Sequence, residues 1–163
     1  MSKVAPCLWF DDRAEEAAGF YVSTFRACGQ EASLGEAMRY GPSAPRPEGG
    51  VMTVEFTLAG QHFIALNGGP HFTFSPAVSL AVRCGDQAEV DRFWEGLSDG
   101  GEPGRCGWLK DKFGVSLQVV PTALGEMLRD ADPARAGRVT RALLGMAKLD
   151  VGALRHAFDG APD

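Results

Sequence analysis

The amino-acid sequence predicts an α+β fold made of two copies of a strand-helix-strand-strand-strand unit, followed by further helices. The first supporting observation is a pair of matching helical segments, EAAGFY at Glu16–Tyr21 and EVDRFW at Glu89–Trp94, each preceded by an apolar run and an aspartate. The second is a turn glycine later in each half, Gly60 and Gly114. The spacing from helix to turn glycine is longer in the first half, which places an insertion at the proline-rich loop 41–50.

Each element of the first half has a local reason. The apolar run Val4–Phe10 predicts a strand. Asp11 or Asp12 is predicted to cap the following helix, because an aspartate there can accept hydrogen bonds from free backbone amides. Apolar residues in Met52–Leu58 and His62–Leu66 predict a hairpin whose strands are joined by an Ala-Gly turn.

The second half repeats this order with shorter connections. Ala77–Cys84 predicts a strand, Asp86 a helix cap, and Val115–Val120 the last strand. We therefore expect two modules, at about 4–67 and 77–121.

The tail has a different pattern from the modules. Asp132 followed by proline predicts the start of a helix, and Asp150 predicts the start of another. Residues 1–121 are thus expected to hold the paired modules, while the helices of residues 122–160 pack on the same domain or on a partner subunit.

Composition and charge exclude several classes of protein. A chain of 163 residues with 45% hydrophobic and 23% charged residues can bury a globular core. The net charge of -5 gives no electrostatic footprint for nucleic acid or for an anionic membrane. The sequence lacks an apolar run of transmembrane length and an apolar leader, and its four cysteines lack CxxC spacing. We expect a cytoplasmic protein with reduced thiols.

Four segments together resemble a known family: CLWFDDRAEEAAGFY, MTVEFTLAGQHFIALNGGPHF, SLAVRC and GWLKDKFGVSLQVVP. They are similar to the PhnB-like proteins, also called the "3-demethylubiquinone-9 3-methyltransferase" domain, within the glyoxalase / bleomycin resistance / extradiol dioxygenase (vicinal oxygen chelate) superfamily. The resemblance covers roughly Val4 to Pro121. It implies two βαβββ modules with curled mixed sheets around a central cavity, and a homodimer. Whether the modules pair within one chain or across a dimer stays open.

The resemblance also bears on metal binding. Metal-using members hold a divalent ion with His, Glu or Gln, and the glutamate of their last strand corresponds to Gln118. Their module-starting histidines correspond to Pro6 and Ser79, and a further ligand position falls at Leu66 or Asn67. Catalytic sites of this kind need about three protein ligands. We therefore expect no metal and no cofactor.

The methyltransferase name conflicts with the sequence. A doubly wound S-adenosylmethionine enzyme needs a glycine-rich loop after its first strand, and here that strand runs into WFDDRAEE. Methyl transfer is therefore doubted.

Alternate strand residues would line the cavity of such a fold, with mostly apolar walls and a few polar groups. The predicted ligand-binding residues are Trp9, Met52, Asn67, His71, Phe72, Ser79, Trp108 and Gln118. Catalytic candidates are Glu55, a carboxylate within a strand, and His71, in the NGGPHF loop.

Three functions are compatible with these residues. The first is binding of a small organic molecule in the inter-module cavity without a metal. The alternative is a lyase-, transferase- or oxygenase-type enzyme of the same superfamily, acting with a metal or through Glu55 and His71. The third is an interaction protein whose cavity is filled by side chains.

Overall fold

A computed structural model describes residues 3–160 of the chain. They divide into two compact units, one ending at Phe74 and one beginning at Ser75. Each unit contains a four-stranded mixed sheet. The two sheets have the same strand order relative to the chain, which confirms the predicted repeat of strand-helix-strand-strand-strand.

Unit 1 consists of one helix and four strands. The sheet order is first, fourth, third, second, and only the first and fourth strands run parallel. The elements are β1 (Cys7–Phe10), α1 (Ala14–Ala27), β2 (Ala32–Arg39), β3 (Val51–Leu58) and β4 (Gln61–Asn67).

The core of unit 1 lies between α1 and one face of its sheet. Tyr21 of α1 stacks on Phe56 with ring centroids 5.9 Å apart, and Phe56 stacks on Phe63 at 5.1 Å. Because side chains alternate along a strand, the residues between these buried ones point to the opposite side. We call that side the distal face of unit 1; it carries Cys7, Trp9, Thr53, Glu55, Thr57, His62, Ile64 and Leu66.

Hydrophobic periodicity does not identify strand β2. Seven of its eight residues are exposed, including Leu34 and Met38, so neither face has an apolar pattern. Its pairing with β3 is also irregular between Leu34 and Ala37. The strand forms at the sheet edge through backbone pairing rather than through burial.

The predicted cap of α1 is wrong. The N-cap residue is Arg13, and its side chain makes no capping hydrogen bond to the helix backbone. Instead, the Asn67 side chain reaches from the end of β4 and accepts a hydrogen bond from the Ala14 amide at 2.8 Å. A nearby sequence pattern therefore misses a cap that comes from a distant strand.

Unit 2 repeats the same topology with shorter strands. Asp86 caps its first helix by accepting from the Glu89 amide at 2.8 Å, as predicted. The elements are β5 (Ser79–Cys84), α2 (Gln87–Ser98), β6 (Glu102–Pro103), β7 (Trp108–Lys110) and β8 (Ser116–Pro121), in the sheet order β5-β8-β7-β6.

The turn before β8 is fixed by a buried carboxylate. Asp111 Oδ1 accepts from the backbone amides of Phe113 at 2.9 Å and Val115 at 3.0 Å. Gly114 completes the turn with φ of 89°, a left-handed conformation that favours glycine. Val90, Phe93 and Leu97 of α2 are buried in the core of the unit. The opposite side is the distal face of unit 2, with Ser79, Ala81, Trp108, Lys110, Ser116 and Gln118.

The tail forms three helices, α3 (Thr122–Leu128), α4 (Pro133–Leu144) and α5 (Val151–Asp159). Asp132 and Asp150 cap the last two, accepting from the amides of Ala134 and Ala153. A compact cluster holds them together, made of Leu124, Met127, Val139, Leu149 and Leu154.

Backbone and side-chain bonds fasten the tail to unit 2 of the same chain. The amides of Cys106 and Gly107 donate to the carbonyls of Met146 and Ala147, each at 2.8 Å. Gln87 of α2 accepts from the Val151 amide at 2.7 Å and donates to the Leu149 carbonyl at 3.1 Å. The helices therefore belong to the second unit.

An ion pair between Asp91 of α2 and Lys148 (2.6 Å) adds a pH-dependent contact. The hydrogen bond from Lys148, together with one from Gln87, lowers the pKa of Asp91 below its ordinary value of 3.8. The pair therefore contributes at neutral pH and loses its contribution as the pH falls through this lowered pKa.

Replacing Lys148 with methionine is expected to reduce the unfolding free energy by at most about 1 kcal/mol at pH 7, because both side chains are solvent-exposed. Urea unfolding of the wild type and of Lys148→Met should differ at pH 7 and converge in strong acid. An undiminished difference in strong acid would show that Lys148 acts through packing instead.

Candidate functional site

Trp9 lies at the centre of a group of contacting residues on unit 1. Its indole Nε1 donates to the Gly69 carbonyl at 2.8 Å, and its ring meets Phe72 edge to face with centroids 5.0 Å apart. A methyl group at Gly68 would overlap the indole ring. Glycine at position 68 is therefore required for the close approach of ring and backbone.

Two further contacts position this loop. The Gly69 amide donates to the Asp11 carbonyl at 3.2 Å, and the Arg46 guanidinium lies 3.8 Å from the Asp11 carboxylate. Arg46 belongs to the proline-rich insertion 41–50, so the insertion reaches the loop after β4. His71 is exposed, and its ring lies beside Gly69. We call Trp9, Arg46, Gly68, Gly69, His71 and Phe72 the Trp9 cluster.

Asn67 has a structural task. Its carboxamide is buried, accepts from the Ala14 amide at 2.8 Å and donates to the Val51 carbonyl at 3.1 Å. Its backbone carbonyl also accepts a short hydrogen bond from the Tyr40 hydroxyl. Met52 is half-buried and shares the α1 side of the sheet with Val54, so alternation separates both residues from Trp9.

Replacing Asn67 with alanine is expected to lower the unfolding free energy by about 1–2 kcal/mol, because the α1 amide loses its cap and the Val51 carbonyl loses a donor. Asp12→Ala is the matched control, with an expected change under about 0.5 kcal/mol. Chemical denaturation followed by circular dichroism checks both. Equal losses of unfolding free energy in the two variants would indicate that Asp12 caps α1, as the sequence predicts.

Glu55 lies on the distal face of unit 1, which sequence alternation alone did not determine. Its carboxylate is 3.7 Å from His62 Nε2 on the neighbouring strand β4. No hydrogen bond or ion pair joins Glu55 to His71 in the described part of the chain. The histidine beside Glu55 is thus His62, and the register of β3 against β4 brings the two together.

Gln118 lies on the distal face of unit 2 and donates through Nε2 to the Ser79 hydroxyl at 2.9 Å. Trp108, on the neighbouring strand β7, is the residue paired with Gln118. Three of the predicted residues thus lie together in unit 2. Ser116 and Lys110 occupy the same face, where Lys110 pairs with Glu102 at 3.7 Å.

The residues at the positions of the family's metal ligands do not fit a divalent metal ion. Pro6 supplies no side-chain ligand, the Asn67 oxygen is engaged by the α1 amide, and Gln118 is bonded to a hydroxyl. Between residues 3 and 160, no three His, Cys, Asp or Glu side chains are grouped as a metal site would require. None of the helices in that range has the length and apolar character needed to cross a bilayer.

Two βαβββ units of identical strand order define the class of the fold, and comparisons with known proteins give the family. A sequence profile described as 3-demethylubiquinone-9 3-methyltransferase matches residues 2–120. The chain belongs to this family, which confirms the resemblance to PhnB-like proteins. The profile match ends before α3, so the tail helices lie outside it.

One solved structure agrees with this assignment, and others are similar at lower identity. A "putative 3-demethylubiquinone-9 3-methyltransferase, PhnB protein" from Bacillus cereus is 34% identical, with TM-score 0.66, covering 74% of this chain and 100% of that one. The protein PA1353 from Pseudomonas aeruginosa is 19% identical, with TM-score 0.59 over 74% of this chain and 98% of that one, a likeness of fold alone. A glyoxalase/bleomycin resistance protein from Albidiferax ferrireducens T118 is 15% identical, with TM-score 0.47 and coverage of 74% and 98%. No curated protein matches the chain.

Proposed function

We propose that this protein binds a small organic molecule on the distal faces of its sheets, beginning at the Trp9 cluster, without a metal ion. The observation that carries the proposal is the arrangement of Trp9 against the Gly68-Gly69 backbone with Phe72 at its edge. Phe72 is 66% exposed, although a large aromatic side chain gains most from burial. Such an aromatic pair offers a planar ligand a surface to cover.

Polar groups beside the aromatic pair would orient the ligand. Arg46 and His71 flank Gly69, giving cationic and imidazole donors next to an apolar surface. In unit 2, the Gln118–Ser79 pair beside Trp108 offers neutral donors and acceptors in the same way. Apolar walls with a few placed polar groups are typical of small-molecule sites.

Methyl transfer is not part of the proposal, despite the family's name. The connection from β1 to α1 is Asp11-Asp12-Arg13, with no glycine to cradle a nucleotide-like cofactor. Each sheet has only one parallel pair of strands, whereas a doubly wound sheet is built from parallel neighbours.

The test follows the three indole N–H resonances by ¹⁵N NMR while bleomycin and a set of planar aromatic acids and amides are titrated in. Binding is expected to shift the resonances of Trp9 and Trp108 and to leave Trp94, on α2, unshifted as an internal control. Trp9→Ala should abolish the binding. If no probe shifts Trp9 or Trp108, or if all three indoles shift equally, the proposed site is wrong.

Metal analysis of the purified protein tests the metal-free part separately. We expect substoichiometric zinc, iron and manganese, unchanged in Gln118→Ala. A stoichiometric divalent ion that disappears in Gln118→Ala would contradict this part while leaving the ligand site itself open to the NMR test.

The Glu55–His62 pair favours acid–base catalysis as a second candidate function. A carboxylate 3.7 Å from an imidazole can orient the ring for proton transfer. The probe is the hemithioacetal of methylglyoxal and glutathione. Turnover that survives EDTA but is lost in Glu55→Gln would support this function, whereas equal rates in both proteins would exclude the pair.

We also propose a cytoplasmic homodimer. The edge strand β2 pairs only with β3 in its sheet and exposes Leu34 (53%) and Met38 (59%), and an exposed apolar edge favours pairing with another chain. All four cysteines are free, as expected in a reducing compartment. Light scattering should give twice the chain mass of 17.3 kDa, falling to one chain in Leu34→Lys. A monomeric wild type would contradict the dimer.

A further inference from the structure

A groove runs between α4 and α5, in the tail that lies outside the family's sequence profile. It has a volume of about 700 Å³, within the usual range of small-molecule sites. Its lining residues are Arg138, Arg141, Ala142, Gly152, Ala153, His156, Ala157 and Gly160.

Small residues keep the groove open while basic residues fix its walls. Gly152, Ala153 and Ala157 present little side chain along α5, so they leave the groove beside α4 unfilled. The guanidinium of Arg138 donates to the carbonyls of Ala157 at 2.8 Å and Phe158 at 2.7 Å. These bonds occupy the last carbonyls of α5 and hold the two helices in antiparallel contact.

The lining has one sign of charge. Arg138 and Arg141 are cationic, and none of the described residues that form the groove is acidic. Arg141 is exposed and has no hydrogen-bond or ion-pair partner between residues 3 and 160. The groove is thus cationic although the whole chain carries a net charge of -5.

We propose that this groove binds an amphipathic organic carboxylate. The Arg141 guanidinium would take the carboxylate in a bidentate pair, the strongest geometry available to arginine. The apolar body of the ligand would then lie along the alanines and glycines of α4 and α5. This site is separate from the Trp9 cluster and goes beyond the proposed function.

The experiment titrates sodium octanoate into the full-length protein by isothermal titration calorimetry. Arg141→Gln is expected to weaken binding at least tenfold, because a charged hydrogen-bonding partner is lost. Arg155→Gln, on the neighbouring helix α5 but outside the groove lining, is the matched control and should bind as the wild type does. Ala157→Leu, which fills the groove, should also abolish binding, and 1-octanol should bind far more weakly than octanoate.

Three results would overturn the proposal. The first is the absence of a heat of binding with octanoate. The second is an equal weakening of octanoate binding in Arg141→Gln and Arg155→Gln. The third is binding of the protein to phosphatidylglycerol vesicles without binding to free octanoate. The last result would identify the basic tail as a membrane-surface contact instead. Thermal unfolding of each variant checks that the fold is intact, and Trp9→Ala should bind octanoate normally, which separates this test from that of the Trp9 cluster.

Discussion

Replacement of Leu149 by alanine is expected to lower the unfolding free energy by about 3 kcal/mol, within the range of about 2–5 kcal/mol seen for buried leucines. Leu149 is fully buried in the cluster that joins the three tail helices, and its side chain also packs where a methyl group on Gly107 would stand. The loss includes both the transfer of the side chain and the cavity left behind.

Leu144→Ala provides the control for that experiment. Leu144 is 59% exposed at the end of α4, so its loss should cost less than about 0.5 kcal/mol. Urea denaturation followed by far-ultraviolet circular dichroism measures both. If the two variants lose equal stability, the tail helices are not packed around this buried cluster as described.

Gly68→Ala is expected to destabilise the protein by about 1–3 kcal/mol and to displace Trp9. An added methyl group would overlap the indole body rather than a flexible tip, so the ring must rotate away. Rotation breaks the hydrogen bond from Trp9 to the Gly69 carbonyl and separates the ring from Phe72. A change in the near-ultraviolet circular dichroism and loss of the Trp9 shift on ligand titration would report this.

Gly41→Ala is the matched loop control, since a methyl group there meets nothing within 4 Å. We expect its spectrum and stability to equal those of the wild type. A Gly68→Ala protein with unchanged near-ultraviolet spectrum and unchanged ligand shifts would show that the close packing of Trp9 on the loop is not needed for binding.

The sequence predicted features whose causes are local. The caps at Asp86, Asp132 and Asp150 are confirmed because each aspartate bonds to an amide two or three residues away. The predicted Ala59-Gly60 turn is also confirmed, and both residues have left-handed φ angles. Local chemistry of this kind is complete within a few residues, so a single sequence contains it.

Features that depend on contacts between residues far apart in the sequence were not predicted. Asn67 caps α1 from another strand, and no pattern around Asp11 or Asp12 could reveal that competition. The candidate sites show the same limit: Glu55 meets His62 because of strand register, which the sequence leaves undetermined. For Gln118, the family resemblance gave the position of a metal ligand, and the hydrogen bond to Ser79 needed coordinates.

The cap supplied by Asn67 has a consequence for how unit 1 folds. The two bonded residues are 53 positions apart, so the Ala14 amide lacks this partner until β4 has docked beside β1. Closing so long a loop costs entropy before any contact rewards it, which slows folding and makes it cooperative. During synthesis, the first helix should therefore remain frayed at its start until the chain through residue 67 has left the ribosome.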